Sequence, residues 1–210
     1  MAIKIYPDYA KAYSNLGIAL VAEGKNEEAI SHYKMAIKLN PDYADAYNNL
    51  GAALLTERKI EEAISHYKMA IKIRPDYAEA YSNLGLALSA ERKIQEAISH
   101  YKMAIKINPD YANSYVNLSA AYLNKTNFKL SLKTLNTLES INPNHPLLHY
   151  NFSCYYALLG NIPKGIDSLK KAIENGYKNL QSLETDPDLE NLRQNPQFNV
   201  LRSLLLAKSA

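Results

Sequence analysis

Five prolines stand 34 residues apart, at Pro7, Pro41, Pro75, Pro109 and Pro143. The residues that follow recur at the same step: PDYAKAYSNLG, PDYADAYNNLG, PDYAEAYSNLG and PDYANSYVNLS. A fixed period of this length specifies an array of one small unit. No copy can bury its apolar face alone, and stacked neighbours share a continuous core. Such an array presents a long surface rather than one deep pocket, which points away from catalysis.

The unit is legible in the third copy. Ala80, Tyr81, Leu84, Ala87 and Leu88 recur at steps of three and four, the apolar stripe of a helix. Ile94, Ala97, Ile98, Tyr101, Ala104 and Ile105 form a second stripe, with polar Glu91–Lys93 between the two. Each unit therefore reads as a helical hairpin, and the fold class as all-α. Asp8, Asp42, Asp76 and Asp110 follow repeat prolines and are candidate N-caps, with Glu79 completing a capping box on Asp76. Gly24 and Gly160 occupy the hairpin turn, where a left-handed residue is favourable. Arg58 and Arg92 hold that slot in copies two and three. If it is left-handed there, each costs ~1 kcal/mol relative to Gly.

Two columns stay small throughout: Gly17, Gly51, Gly85, Ser119 and Ser153, and Ala29, Ala63, Ala97, Ser131 and Gly165. Both predict close approach of the paired helices. In order and spacing, Tyr81, Leu84, Gly85, Leu88, Ala97, Tyr101, Ala104 and Pro109 resemble the tetratricopeptide repeat signature. Tyr13, Tyr47, Tyr81 and Tyr115 stand where that family often has Trp. The resemblance covers residues 8–176. It implies a right-handed superhelical solenoid of helical hairpins whose first helices line a concave groove.

Residues 1–7 read as the end of a truncated unit, since AIKIYP matches AIKLNP and AIKIRP. Residues 8–176 hold five repeats, and residues 177–210 break the period. In that tail Asp186 and Asn195 each precede a Pro that can open a short helix, and the segment is similar to the C-terminal closing segment of bacterial tetratricopeptide arrays. It is expected to cover the last hairpin. A net charge of +3, evenly spread, gives no footprint for nucleic acid. Cys154 is the single cysteine, so no internal disulfide exists. Met1–Tyr9 carries no apolar run of a secretion signal, and no stretch approaches the ~20 apolar residues of a membrane helix. The expected setting is cytoplasmic, with no membrane partner.

The strongest functional signal is an asparagine column: Asn15, Asn49, Asn83, Asn117 and Asn151. Asn is a mediocre helix former, yet it recurs mid-helix beside the apolar stripe. The family resemblance places this slot in the groove, where an amide offers a donor and an acceptor to a peptide bond. The column is similar to the asparagine ladder in the repeats of O-linked N-acetylglucosamine transferase. Lys11, Asp45 and Glu79 are expected to tune preference from equivalent positions. Ile18, Val21, Asn48, Ala52 and Leu86 are further groove candidates, and Leu147, Tyr150, Cys154 and Leu158 form an apolar anchor in the fifth unit. The family's carboxylate clamp is matched by Lys11, Asn15 and Asn49, but the third unit offers Glu79 and Asn83 where basic residues are needed.

His32, His66 and His100 repeat one unit apart, ~10 Å, too far to share a metal. They are expected to face solvent. Cys154 has no base at fixed spacing, and no phosphate-binding loop or HExxH motif occurs. The reading is a non-enzymatic interaction module, an adaptor or scaffold that takes an extended peptide or protein segment and needs no cofactor or metal. Its alternatives are the substrate-recruiting arm of a larger enzyme such as a glycosyltransferase, and an array that self-associates through an open N-terminal edge.

Overall fold

The computed structural model describes residues 7–209, and every regular element among them is helical. The reading of the first residues as the end of a truncated unit lies outside the described residues. The chain divides into two compact units, Met1–Tyr111 and Ala112–Ala210.

The first unit holds three hairpins: α1 (Pro7–Ala22) with α2 (Asn26–Leu39), α3 (Ala44–Thr56) with α4 (Ile60–Ile73), and α5 (Ala78–Ala90) with α6 (Ile94–Ile107). Helix α2 also packs on α3, and α4 on α5, so these two second helices are each shared between two hairpins. The small-residue column has a specific cause. A Cβ built on Gly17, Gly51 or Gly85 would lie 2.6, 2.7 or 2.6 Å from the ring of Tyr33, Tyr67 or Tyr101. The tyrosine of the second helix lies flat against the backbone of the first, and only glycine leaves room for it. Ala29, Ala63 and Ala97, on the facing helices, are fully buried.

The hairpin turns share one conformation. Arg58 N donates to Leu55 O and Lys59 N to Leu54 O, and Arg92 and Lys93 repeat the pattern on Ser89 and Leu88. These paired bonds are a Schellman closure, which needs a left-handed residue. Gly24 adopts φ 76°, Arg58 φ 58° and Arg92 φ 61°. Thr126 holds the same slot at φ 54°, a position the sequence reading did not single out.

Asp42 and Asp76 do not cap the helices that follow them. Helices α3 and α5 are capped by Tyr43 and Tyr77, with no side-chain bond. Asp42 and Asp110 sit inside the turn, where their own N–H groups donate to the Oδ1 of Asn40 and Asn108. The turn consumes the Pro-Asp pair before the helix begins, so the capping box between Asp76 and Glu79 does not form.

The second unit holds α7 (Ala112–Asn124), α8 (Phe128–Ile141), α9 (Pro146–Leu158) and α10 (Ile162–Glu174). The tail follows as α11 (Leu180–Thr185), a 3-10 turn at Pro187–Leu189, α12 (Glu190–Arg193) and α13 (Pro196–Ser209). It packs back on the last hairpin: the 3-10 turn and α12 contact α9, and α12 and α13 contact α10. Leu183, Leu189, Leu192 and Leu205 are fully buried. Gly165 on α10 faces Leu192, whose Cδ2 would lie 2.8 Å from an added Cβ. Asp186 caps the 3-10 turn by accepting from Asp188 N. Helix-opening prolines follow Asp186 and Asn195, as the sequence suggests.

Candidate functional site

Within the first unit, α1, α3 and α5 carry Asn15, Asn49 and Asn83 at equivalent positions. Asn15 is exposed, and Asn49 and Asn83 are half-buried. Asn49 lines a depression of about 220 Å³ with Ile18 and Val21 of α1, Tyr33 of α2, and Ala52, Ala53 and Thr56 of α3. Ile18 and Val21 are exposed apolar side chains. A polar amide thus borders an apolar hollow open to solvent.

Asn83 differs from Asn49. Its Nδ2 donates to Asn48 Oδ1 at 3.0 Å, and Asn48 Nδ2 donates to Glu79 Oε1 at 3.0 Å. Asn48 is 1% exposed. It therefore belongs to the interface between α3 and α5 and not to the open groove. One N–H of Asn83 is engaged, which leaves its Oδ1 and second N–H for another group. The carboxylate of Glu79 is exposed but held from behind.

Asp45 is also occupied. Arg74 Nη1 lies 2.9 Å from Asp45 Oδ1, and the guanidinium stacks over Tyr77 at 4.3 Å. Burial would raise the Asp45 carboxyl, but the Arg74 and Tyr77 bonds and the Arg74 charge hold it below its ordinary value. Sequence reasoning missed Arg74. The signal was available, because Arg74 replaces the asparagine found at Asn40, Asn108 and Asn142. Lys11, at the equivalent position on α1, is exposed.

In the second unit the column splits. Asn117 on α7 is half-buried. Asn151 on α9 is only 6% exposed, and its Nδ2 donates to Val116 O at 2.9 Å and Ser119 Oγ at 2.8 Å. Asn151 is therefore a packing residue, contrary to the sequence expectation. Ser119, replacing the glycine of the first unit, supplies the polar partner that turns it inward. Tyr150 is likewise removed from any ligand. It stacks on Tyr177 at 4.5 Å and donates its hydroxyl to Asp186 Oδ2 at 2.7 Å. The tail covers Tyr150 and Cys154, while Leu147 and Leu158 stay exposed. Burial pushes the Cys154 thiol well up, which disfavours the reactive thiolate.

The histidine column does not face solvent as expected. His32, His66 and His100 are half-buried, their rings 5.8, 5.9 and 5.9 Å from those of Tyr13, Tyr47 and Tyr81. Burial lowers the imidazoles of His66 and His100, which favours their neutral form. Among the described residues no group of His, Cys, Asp and Glu is placed to hold a metal ion, and no helix is long and apolar enough to cross a membrane.

Known proteins carry the same architecture. The chain matches the family described as TPR repeat over residues 19–56 and 59–91, and as Tetratricopeptide repeat over residues 78–111 and 112–145. Among solved structures, PilF of Pseudomonas aeruginosa superposes with a TM-score of 0.75 at 19% identity, covering 96% of this chain and 92% of that one. A thermophilic TPR protein of Thermus thermophilus gives 0.74 at 20% identity, covering 94% and 99%. YrrB, a TPR protein with an unusual peptide-binding site, gives 0.59 at 21% identity, covering 83% and 90%. No curated protein sequence matches the chain. Hairpins of fixed period, closed by one turn and keyed by one glycine–tyrosine contact, and family matches over more than half the residues place this chain in the tetratricopeptide repeat family.

Proposed function

We propose that the first unit binds an extended peptide segment along α1, α3 and α5, and that the chain serves as an adaptor or scaffold. The protein-interaction role belongs to the repeat family, and the neighbour YrrB has a peptide-binding site. The observation that carries the finer reading is the setting of Asn49, a half-buried amide at the rim of an open apolar hollow. Equivalent helices of neighbouring hairpins stand ~10 Å apart, and an extended peptide advances ~3.3 Å per residue. Asn15, Asn49 and Asn83 would then meet roughly every third peptide bond of a ligand. Each bond contributes ~0.5–1.5 kcal/mol, and main-chain contacts alone select little sequence. The test is an array of immobilised peptides probed with the wild-type chain and with a variant carrying Asn15→Ala, Asn49→Ala and Asn83→Ala. The proposal requires loss of signal across all captured peptides; equal capture by both proteins rules it out.

A second reading has its own observation. Leu16 is 46% exposed, whereas Leu50 and Leu84 at the same position are 0% and 1% exposed. The face of α1 that corresponds to the buried face of α3 and α5 stays open among the described residues. An apolar helix from a second copy fits such a face, because α2 and α4 cover the same side of α3 and α5. Light scattering across concentration tests it. Self-association that disappears in Leu16→Glu supports the reading, and a concentration-independent monomer removes it.

A further inference from the structure

The charges along the first unit are ordered, and the order specifies a ligand. Lys11, Asp45 and Glu79 hold equivalent places on α1, α3 and α5. Asp45 is neutralised by Arg74. Glu79 has no cation on it among the described residues, and the Asn48 amide donates to it at 3.0 Å. The three positions therefore present positive, neutral and negative to anything lying across them. The negative one is pre-oriented, since Asn83 fixes Asn48 and Asn48 fixes the carboxylate. A carboxylate held by an amide on one oxygen keeps acceptor capacity on the other, which suits an ammonium or guanidinium.

The apolar hollow lies on the other side of α3 from this carboxylate. Asn48 and Asn49 are adjacent on α3: the first holds Glu79 and the second lines the hollow with Ile18, Val21 and Ala52. A volume of about 220 Å³ accepts one aliphatic side chain, and its walls from those residues are apolar. The hollow lies between α1 and α3, and Glu79 is on α5 against α3. Laterally the two features stand about one and a half inter-helix spacings apart, ~15 Å, and Glu79 lies in the first turn of α5 while Ala52 and Thr56 lie in the last two turns of α3, so an extended chain covers the separation in at least about five residues.

We infer that the first unit selects a peptide segment in which a lysine or arginine, seated on Glu79, stands at least about five residues from a valine, leucine or isoleucine that fills the Ile18–Val21–Ala52 hollow. This rests on the proposed peptide-binding reading and adds the side chains that reading leaves unspecified. It also opposes the family's carboxylate clamp, because Glu79 repels a terminal acid. Lys11, of opposite sign, gives the bound segment a direction.

The experiment is a positional-scanning array of immobilised peptides of mixed sequence, probed at low and high salt. The probes are wild type, Glu79→Gln, Glu79→Lys and Ala52→Phe. Glu79 and Ala52 are exposed, Glu79→Gln keeps an acceptor for the buried Asn48 amide, and circular dichroism with thermal melting checks the fold of each variant. The expected result is enrichment of Lys or Arg at least about five residues from an aliphatic position. Glu79→Gln lowers that enrichment about two- to fivefold, the range of an exposed ion pair, and added salt does the same to wild type. Glu79→Lys reverses the preference to Asp or Glu, and Ala52→Phe removes the aliphatic preference alone. Capture without a basic preference, or a basic preference untouched by Glu79→Lys, overturns this inference and leaves the peptide-binding reading standing. No capture of any peptide removes both.

Discussion

Asn83 in the first unit and Asn151 in the second occupy the same slot of the same hairpin, yet they do different work. On the hairpin before Asn83 the corresponding position is Gly51, pressed against the Tyr67 ring, and the amide stays half-exposed beside Asn48 and Glu79. Around Asn151 a serine from the preceding hairpin and the carbonyl of Val116 draw the amide inside. The first unit is built by repetition of one contact. The second has drifted from that pattern and is closed by a tail whose leucines pack on α9 and α10. A periodic sequence column thus fixes where a side chain starts, while its partners decide whether it faces a ligand or the core.

The largest expected effect tests the closure of the second unit. Leu192→Ala removes a fully buried side chain from between the tail and α10. It should cost about 2–5 kcal/mol in denaturant unfolding, with faster amide exchange in α10 and α12. A smaller cost is expected for the repeated contact of the first unit. Gly85→Ala places a Cβ 2.6 Å from the Tyr101 ring and should destabilise by about 1–3 kcal/mol, although alanine is the better helix former. An unchanged unfolding midpoint would show that the ring yields freely and that the glycine column has another cause.

Asn151→Ala sharpens the comparison most. It strips a donor from Ser119 and Val116 and should cost about 1–3 kcal/mol of stability, with no loss of peptide capture. The smallest effect is at the turns. Arg92→Gly relieves a left-handed arginine at φ 61° and should raise stability by about 0.5–1 kcal/mol, whereas Arg92→Ala should not.

The period carried most of the fold. Helix pairs, turn positions and the close-approach columns follow from residue spacing, because each is a local constraint repeated in every copy. The partner of the glycine column was not legible, since nothing in spacing says which aromatic ring lies on Gly51 or Gly85. The Asp caps failed because a Pro-Asp pair fits both a cap and a turn, and Asn40 and Asn108 decide for the turn. The candidate site was legible as positions but not as environments. Asn48 looked equal to Asn49 on the groove, yet one residue along a helix rotates it into the α3–α5 interface. Tyr150 and Asn151 were read from the period alone, and the period does not describe a tail that folds back over Tyr150 or a serine that satisfies Asn151. Arg74 was a departure from the repeat, and departures mark where a copy has been adapted.

The central claim is that the asparagines of the first unit serve a ligand and not the fold. Calorimetric titration of an array-selected peptide into wild type and Asn49→Ala, alongside thermal unfolding of both, tests it directly. The account predicts affinity weakened about two- to twelvefold, the worth of one hydrogen bond, with the unfolding midpoint unchanged or slightly raised by the better helix former. Unchanged affinity, or a loss of stability like that of Asn151→Ala, would contradict it.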